Sequence, residues 1–272
     1  MYLAKLDLST DKFIETALEL FNSTMSLLYD LLSINPTKGD YKGAYGTVSK
    51  LYTTFSAIGV SLMVLFFVYG FCRDSFDVKA DLTLNSSIKE YIRLVIVSNL
   101  IANFITLIPK LYSWAITMLL ATKKEADMFD AEKVGASIEE GIGFGDVGAW
   151  LLSILFILVT LACCCIMIFA TLGRFLNLFI ILPFATIALS TIAGGGNLSH
   201  TGFSYIKTTL TYIFEIVIMG VVLALSGTFL SSVSIGTEDK PLLIMVEVIA
   251  KMLTITAAYK GSENICRKAF GL

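Results

Sequence analysis

The sequence predicts an all-α protein: a polytopic membrane helical bundle with five to six membrane segments and an N-terminal amphipathic interfacial helix. Three observations carry this. The 272-residue chain is 56% hydrophobic and only 15% charged, and its mean hydropathy is +0.79, well outside the range of ordinary soluble domains. Residues 149–193 contain Arg174 as their only charged side chain and Asn177 as their only amide. As one helix these roughly 45 residues would reach about 67 Å, about twice a hydrocarbon core of ~30 Å, so the segment is expected to fold back on itself.

Residues 1–50 read as an amphipathic helix and a polar connector. Over 11–34, Phe13, Ile14, Ala17, Leu18, Phe21, Met25 and Leu28 recur at helical spacing, with Lys12, Glu15, Glu19, Asn22 and Ser26 between them. One face is apolar, yet the segment is too interrupted to span. It lies in the membrane interface, or packs on a partner or on the protein's own loops. The connector runs from Asn35-Pro36 to Tyr45-Gly46, with Gly39 and Gly43 as further breakers.

Residues 51–272 form the transmembrane domain. A first span covers 52–72, flanked by Lys50 and Arg73-Asp74, and a charged loop occupies 73–91. The second span, 91–122, is marked by Asn99, Asn103, Pro109 and Lys110. A lysine in mid-segment is costly in lipid, so Lys110 faces the bundle interior, a water-filled cavity, or an interface reached by snorkelling. Pro109 frees a backbone carbonyl and favours a kink.

An acidic, glycine-rich loop follows at 123–148. Spans at 149–172 and 175–193 then meet at a turn over Thr171-Leu172-Gly173-Arg174, with Arg174 as an interfacial anchor. Asn197 and the single histidine, His200, fall in a short polar loop before the span at 208–231. Glu215 lies inside that span, where ionisation is expensive unless the carboxylate is paired or wet. Its candidate partners are Lys207, Arg174 and Lys110, or the aqueous lumen of an oligomer. A weaker segment at 241–259 spans, re-enters or lies on the surface. It carries Glu247 and Lys251 four apart, a spacing that supports an ion pair. The chain closes with a short basic helix.

Several chemistries are disfavoured. The net charge of −2 argues against broad electrostatic capture of nucleic acid. Cys163, Cys164 and Cys165 are consecutive, so their side chains diverge around a helix and cannot chelate one metal. They read as packing residues, while Cys72 and Cys266 sit near span ends where acylation is conceivable. Gly143, Gly145 and Gly148 spell a dinucleotide fingerprint without a preceding strand. Gly143-Phe144-Gly145-Asp146 matches the GxGD element of intramembrane aspartyl proteases, but no preceding span supplies the second aspartate. A lone histidine builds neither a metal site nor a triad. No catalytic, cofactor or metal site is expected.

One stretch carries a family resemblance. Arg174-Phe175-Leu176 leads to Leu182-Pro183-Phe184-Ala185, then Gly194-Gly195-Gly196-Asn197, Phe203-Ser204-Tyr205-Ile206-Lys207 and Phe214-Glu215. This order resembles the TrbL family of conjugal-transfer proteins, polytopic inner-membrane subunits of type IV secretion systems. The terminal Lys260-Gly261-Ser262 to Arg267 and Gly271-Leu272 are similar to the tail of Gram-positive members. The resemblance covers about 149–272, and departs at Leu182-Pro183-Phe184, usually Ala-Pro-Ile, and at Glu215-Ile216, usually Glu-Gly.

The resemblance implies a channel or scaffold subunit in the bacterial cytoplasmic membrane, a homo-oligomer working with other secretion subunits and with ATPases that supply the energy. Transient contact with single-stranded DNA is implied, and catalysis is not. Arg174, Pro183, Lys207 and Glu215 carry over as structural or pore residues, and Lys110 joins them on its membrane depth. The resemblance places the N-terminus outside, whereas the Lys and Arg count slightly favours it inside. The competing class is a stand-alone ion- or proton-coupled transporter or small channel using Lys110 and Glu215 as coupling groups.

Overall fold

A computed structural model describes residues 10–38, 41–76, 84–122, 129, 146–232 and 241–272. The helices are α1 (Thr10–Ser33), α2 (Lys42–Phe76), α3 (Leu84–Thr122), α4 (Asp146–Ile181), α5 (Ala185–Ser190), α6 (Gly196–Ser232), α7 (Pro241–Lys260) and α8 (Ser262–Ala269). Short 3-10 turns at Leu182–Phe184 and Thr191–Gly194 flank α5, and no strand occurs among the described residues. Four stretches are long and apolar enough to cross a membrane: Lys42–Arg73, Ile88–Thr122, Leu151–Gly194 and Gly196–Thr228. That fits a membrane-embedded protein.

Among the described residues these four stretches meet that length and composition, against the five to six segments expected. Residues 149–172 and 175–193 belong to one apolar stretch of 44 residues, and α7 is outside the four. The turn expected at Thr171 to Arg174 is absent, because α4 continues through Gly173. A mid-helix glycine costs only about 1 kcal/mol, too little to break a helix held along its length. The α-helix ends instead at Ile181, where Pro183 opens a 3-10 turn and the Ala185 N–H bonds back to Leu182.

The chain divides into two compact units, one of Met1–Ser33, Met118–Leu172 and Val217–Ser262, the other of Ile34–Thr117, Gly173–Ile216 and Glu263–Leu272. In the first unit the apolar face of α1 is buried, with Ile14, Leu18, Phe21, Met25, Leu28 and Leu32 all enclosed. The helix is amphipathic as expected, but its apolar face packs on protein and not into lipid. Phe21 meets the Phe129 ring edge-on at 5.7 Å, and the Asn22 amide donates to the Phe129 carbonyl at 2.8 Å. The Tyr29 hydroxyl donates to the Gly220 carbonyl at 3.2 Å. Across α4 and α7, the Thr171 and Tyr259 hydroxyls share a hydrogen bond of 2.6 Å. The expected Glu247–Lys251 pair forms at 2.6 Å.

In the second unit, tyrosines tie α2 to α3. Pro109 has no N–H, so the carbonyl four residues earlier, that of Ile105, loses its helical donor. The Tyr45 hydroxyl donates to that carbonyl at 2.6 Å, which satisfies it inside an apolar environment where an orphan would be costly. One turn away, Tyr52 donates to the Ile101 carbonyl. Lys42 already begins α2, so the connector is shorter than expected and Gly43 and Gly46 are helical. The charged loop at 73–91 is likewise shortened by α2 running to Phe76 and α3 starting at Leu84.

Close backbone approach sets how α2 meets the segment around α5. A Cβ at Gly59 would lie 2.7 Å from the Thr186 Cβ, and one at Gly70 would lie 2.6 Å from the Gly194 carbonyl oxygen. The Thr186 hydroxyl donates to the Phe55 carbonyl at 3.1 Å. The chain reverses at Gly195 and Gly196, whose φ values of 61° and 49° favour glycine. Returning along α6, Gly202 faces Ala188 and Ile192, and the Tyr205 hydroxyl donates to the Ile181 carbonyl at 2.7 Å. The hairpin expected between 149–172 and 175–193 is therefore not formed; the reversal at the triple glycine is the one that leads into α6. Asn197 and His200 therefore lie in the first turns of α6, not in a loop.

Candidate functional site

Two buried charged side chains of the second unit, Arg174 and Glu215, act on the buried phenol of Tyr112. Its neighbours on α3, Ile101, Phe104, Ile108 and Ala115, form the packed face of that helix, which places the phenol in the interior. Arg174 is only 3% exposed, and its Nη2 donates to the Tyr112 hydroxyl at 2.8 Å. The guanidinium lies 4.6 Å from the Phe175 ring centroid and 5.9 Å from that of Tyr112. Phe175 stacks between Tyr112 at 6.3 Å and Tyr41 at 5.7 Å. Arg174 is thus caged by aromatics, a geometry in which a weakly hydrated planar cation retains attraction after losing water. It is not the interfacial anchor the sequence suggests.

The cage does not exhaust the cation. Guanidinium carries five N–H donors, and Nε and Nη1 of Arg174 are buried with no hydrogen-bond partner among the described residues. Glu215 is the second buried charge, 4% exposed, and its carboxylate acts electrostatically on Tyr112, as Arg174 does. Of the expected partners of Glu215, the structure brings Arg174 to the same phenol, while Lys207 and Lys110 are exposed. The Arg174–Tyr112 hydrogen bond ties α4 to α3 away from solvent, and the buried Glu215 of α6 acts on the same phenol through its charge; we call this arrangement a polar latch.

Glu215 also reaches the C-terminal helix. The Cys266 Sγ contacts the Thr211 carbonyl at 3.5 Å, and Arg267 of α8 bonds the Tyr212 hydroxyl at 3.2 Å. Burial, and then the Glu215 charge, push the Cys266 thiol up to about 11. Both causes oppose the thiolate, so Cys266 is protonated at neutral pH, and the stability tied to that proton is present below the unfolded thiol range and lost as pH rises towards 11. Cys72 is exposed and Cys266 buried, which leaves only Cys72 open to acylation. We expect maleimide to label Cys72 well before Cys266 at neutral pH, and Glu215→Gln to lower the pH at which Cys266 begins to react. Equal labelling rates at the two cysteines in the parent protein would contradict the burial of Cys266.

The remaining sequence candidates fall elsewhere. Pro183 is buried in the 3-10 turn after α4 and acts on the backbone, not on the latch. Lys207 is exposed on α6, with the Gly271 backbone nearby. Lys110 is exposed on α3, on the side away from the buried Tyr112, so it does not face the interior and shares no site with Glu215. Cys163 and Cys164 are buried as packing residues, whereas Cys165 is exposed. Among the described residues, no group of three or more His, Cys, Asp or Glu side chains could hold a metal ion. The glycine fingerprint and the GxGD element at 143–146 lie outside the described residues except for Asp146 and Gly148, in the first turn of α4.

Tyr112 and Tyr41 are not singled out by the sequence, and Phe175 and Cys266 enter it only as a motif neighbour and as an acylation candidate, not as members of this site. The available signal was a tyrosine in step with the apolar face of α3, and an aromatic directly after an intramembrane arginine. Together the fold and the latch define an all-helical protein with four stretches suited to crossing a membrane and with buried charge in its interior. Comparison with protein-family models, curated proteins and solved structures gives no match.

Proposed function

We propose that this chain is a channel or scaffold subunit of a conjugative type IV secretion system of the TrbL-like, Gram-positive type. It would help move a relaxase-linked single DNA strand, or a protein, across the bacterial cytoplasmic membrane. The observation that carries the reading is that Arg174 and Glu215, the charged positions at either end of the family-like order, are both buried and both act on Tyr112. Two costly buried charges are retained where the resemblance places its structural residues. In this reading α7 adds a weaker membrane segment to the four long ones, the protein works as a homo-oligomer, and separate ATPases supply the energy.

Deleting the gene should abolish conjugal transfer while growth continues. Glu215→Gln should lower transfer more than Glu139→Gln, since the latter changes one of many acids in the polar stretch 123–148 and the former a buried charge. Unchanged transfer frequency on deletion would sink the proposal.

A further inference from the structure

The face of α3 turned away from its packed side is polar. Val97, Ile101, Phe104, Ile108, Tyr112 and Ala115 are buried, and they follow one line of the helix. Asn99, Asn103, Thr106, Lys110, Ser113 and Thr117 follow the opposite line and are all exposed. Their spacing alternates four and three, which keeps one face of a helix. From Asn99 to Thr117 the stripe rises about 27 Å, close to the thickness of a hydrocarbon core. Beside it at the same depth, Leu107 and Trp114 are exposed apolar side chains, at 38% and 61%.

Hydrocarbon cannot serve this stripe. The Asn103 amide donates to the Asn99 side-chain oxygen at 2.8 Å, which leaves the Asn99 amide N–H groups and the Asn103 side-chain oxygen without a hydrogen-bond partner among the described residues, on exposed side chains. Thr106 and Thr117 donate to carbonyls of their own helix, and their oxygens can still accept. The Lys110 ammonium has no partner among the described residues. In lipid each of these groups would be unpaired. Dry packing against the same stripe of a second copy would bring lysines together, because the stripe contains no acid.

We propose that this stripe is the water-facing wall of a transmembrane passage closed by further copies of this chain. One helix face cannot enclose water, but a repeated face around a symmetry axis can. Amides, hydroxyls and a single ammonium suit hydrated solutes and favour anions over cations. The inference rests on the channel reading above and assigns the lining of that channel.

The test is cysteine scanning in the full-length protein in membranes, with Cys72 and Cys165 replaced. Cysteines at 99, 103, 106, 110, 113 and 117, and at the flanking positions 107 and 114, are exposed to a membrane-impermeant thiosulfonate. The stripe positions should react at least about tenfold faster than 107 and 114, because thiolate forms only where water reaches. Uniform labelling would place the segment outside the membrane, and uniform protection would place the stripe against lipid or dry protein; either overturns the proposal. Ser113→Cys exchanges a single atom, so it reports even if bulkier changes impair folding. A labelled stripe with normal transfer on deletion would remove the secretion reading and keep the water-lined face. A protected stripe with lost transfer would do the reverse.

Discussion

Arg174→Ala is expected to destabilise the protein by about 3–5 kcal/mol, the range for breaking a buried charged arrangement by removing one member. The substitution removes the bond to Tyr112, empties the space between aromatic rings, and leaves Glu215 without the nearby cation that shares its phenol. Arg174→Lys should recover only part of the loss, because an ammonium cannot lie flat on Phe175 while reaching the Tyr112 hydroxyl. Tyr112→Phe should cost less, about 1–3 kcal/mol, since it removes one charge-assisted bond and keeps the ring. Thermal unfolding in detergent or nanodiscs measures all three. A double-mutant cycle between Arg174→Met and Glu215→Gln should show coupling of at least about 0.5 kcal/mol. Simple additivity would mean that the two charges do not communicate, and would remove the latch.

The second large effect is steric. Gly70→Ala and Gly59→Ala should each cost about 1–3 kcal/mol or more, the range for overpacking. In both cases the new carbon would meet backbone, at Gly194 and at Thr186, which cannot rotate away as a side-chain tip can. Gly173→Ala is the contrast. Nothing lies within 4 Å of a Cβ there and the position is mid-helix, so alanine should stabilise by about 0.5–1 kcal/mol. If a turn occupied 171–174, the same change would destabilise, so the sign of the Gly173→Ala effect decides between a continuous α4 and the expected hairpin.

Much of the helical content was legible because it is written in local pattern. The period of Ile14, Leu18, Phe21, Met25 and Leu28 announces an amphipathic helix, and the i,i+4 placement of Glu247 and Lys251 announces their ion pair. The break near 172 was misplaced for a physical reason. Glycine and arginine mark interfaces on average, but here Gly173 is tolerated mid-helix while Pro183, lacking an N–H, is where the hydrogen-bond pattern must change. The site was half legible. A carboxylate and a guanidinium in apolar sequence were conspicuous, whereas Tyr112, 62 residues before Arg174, could be joined to it only by packing.

By itself the sequence determined that the chain is helical, apolar enough for a membrane, and burdened with a few charges needing partners. These follow from periodicity and composition, which act over a turn or two of helix. The tertiary structure alone decided which groups answer them. It gave the Ile105 carbonyl freed by Pro109 to Tyr45, gave Arg174 an aromatic cage, covered the apolar face of α1 with protein, and turned Lys110 outward. Those choices depend on shape and distance between segments far apart in the chain, where no local pattern specifies a partner.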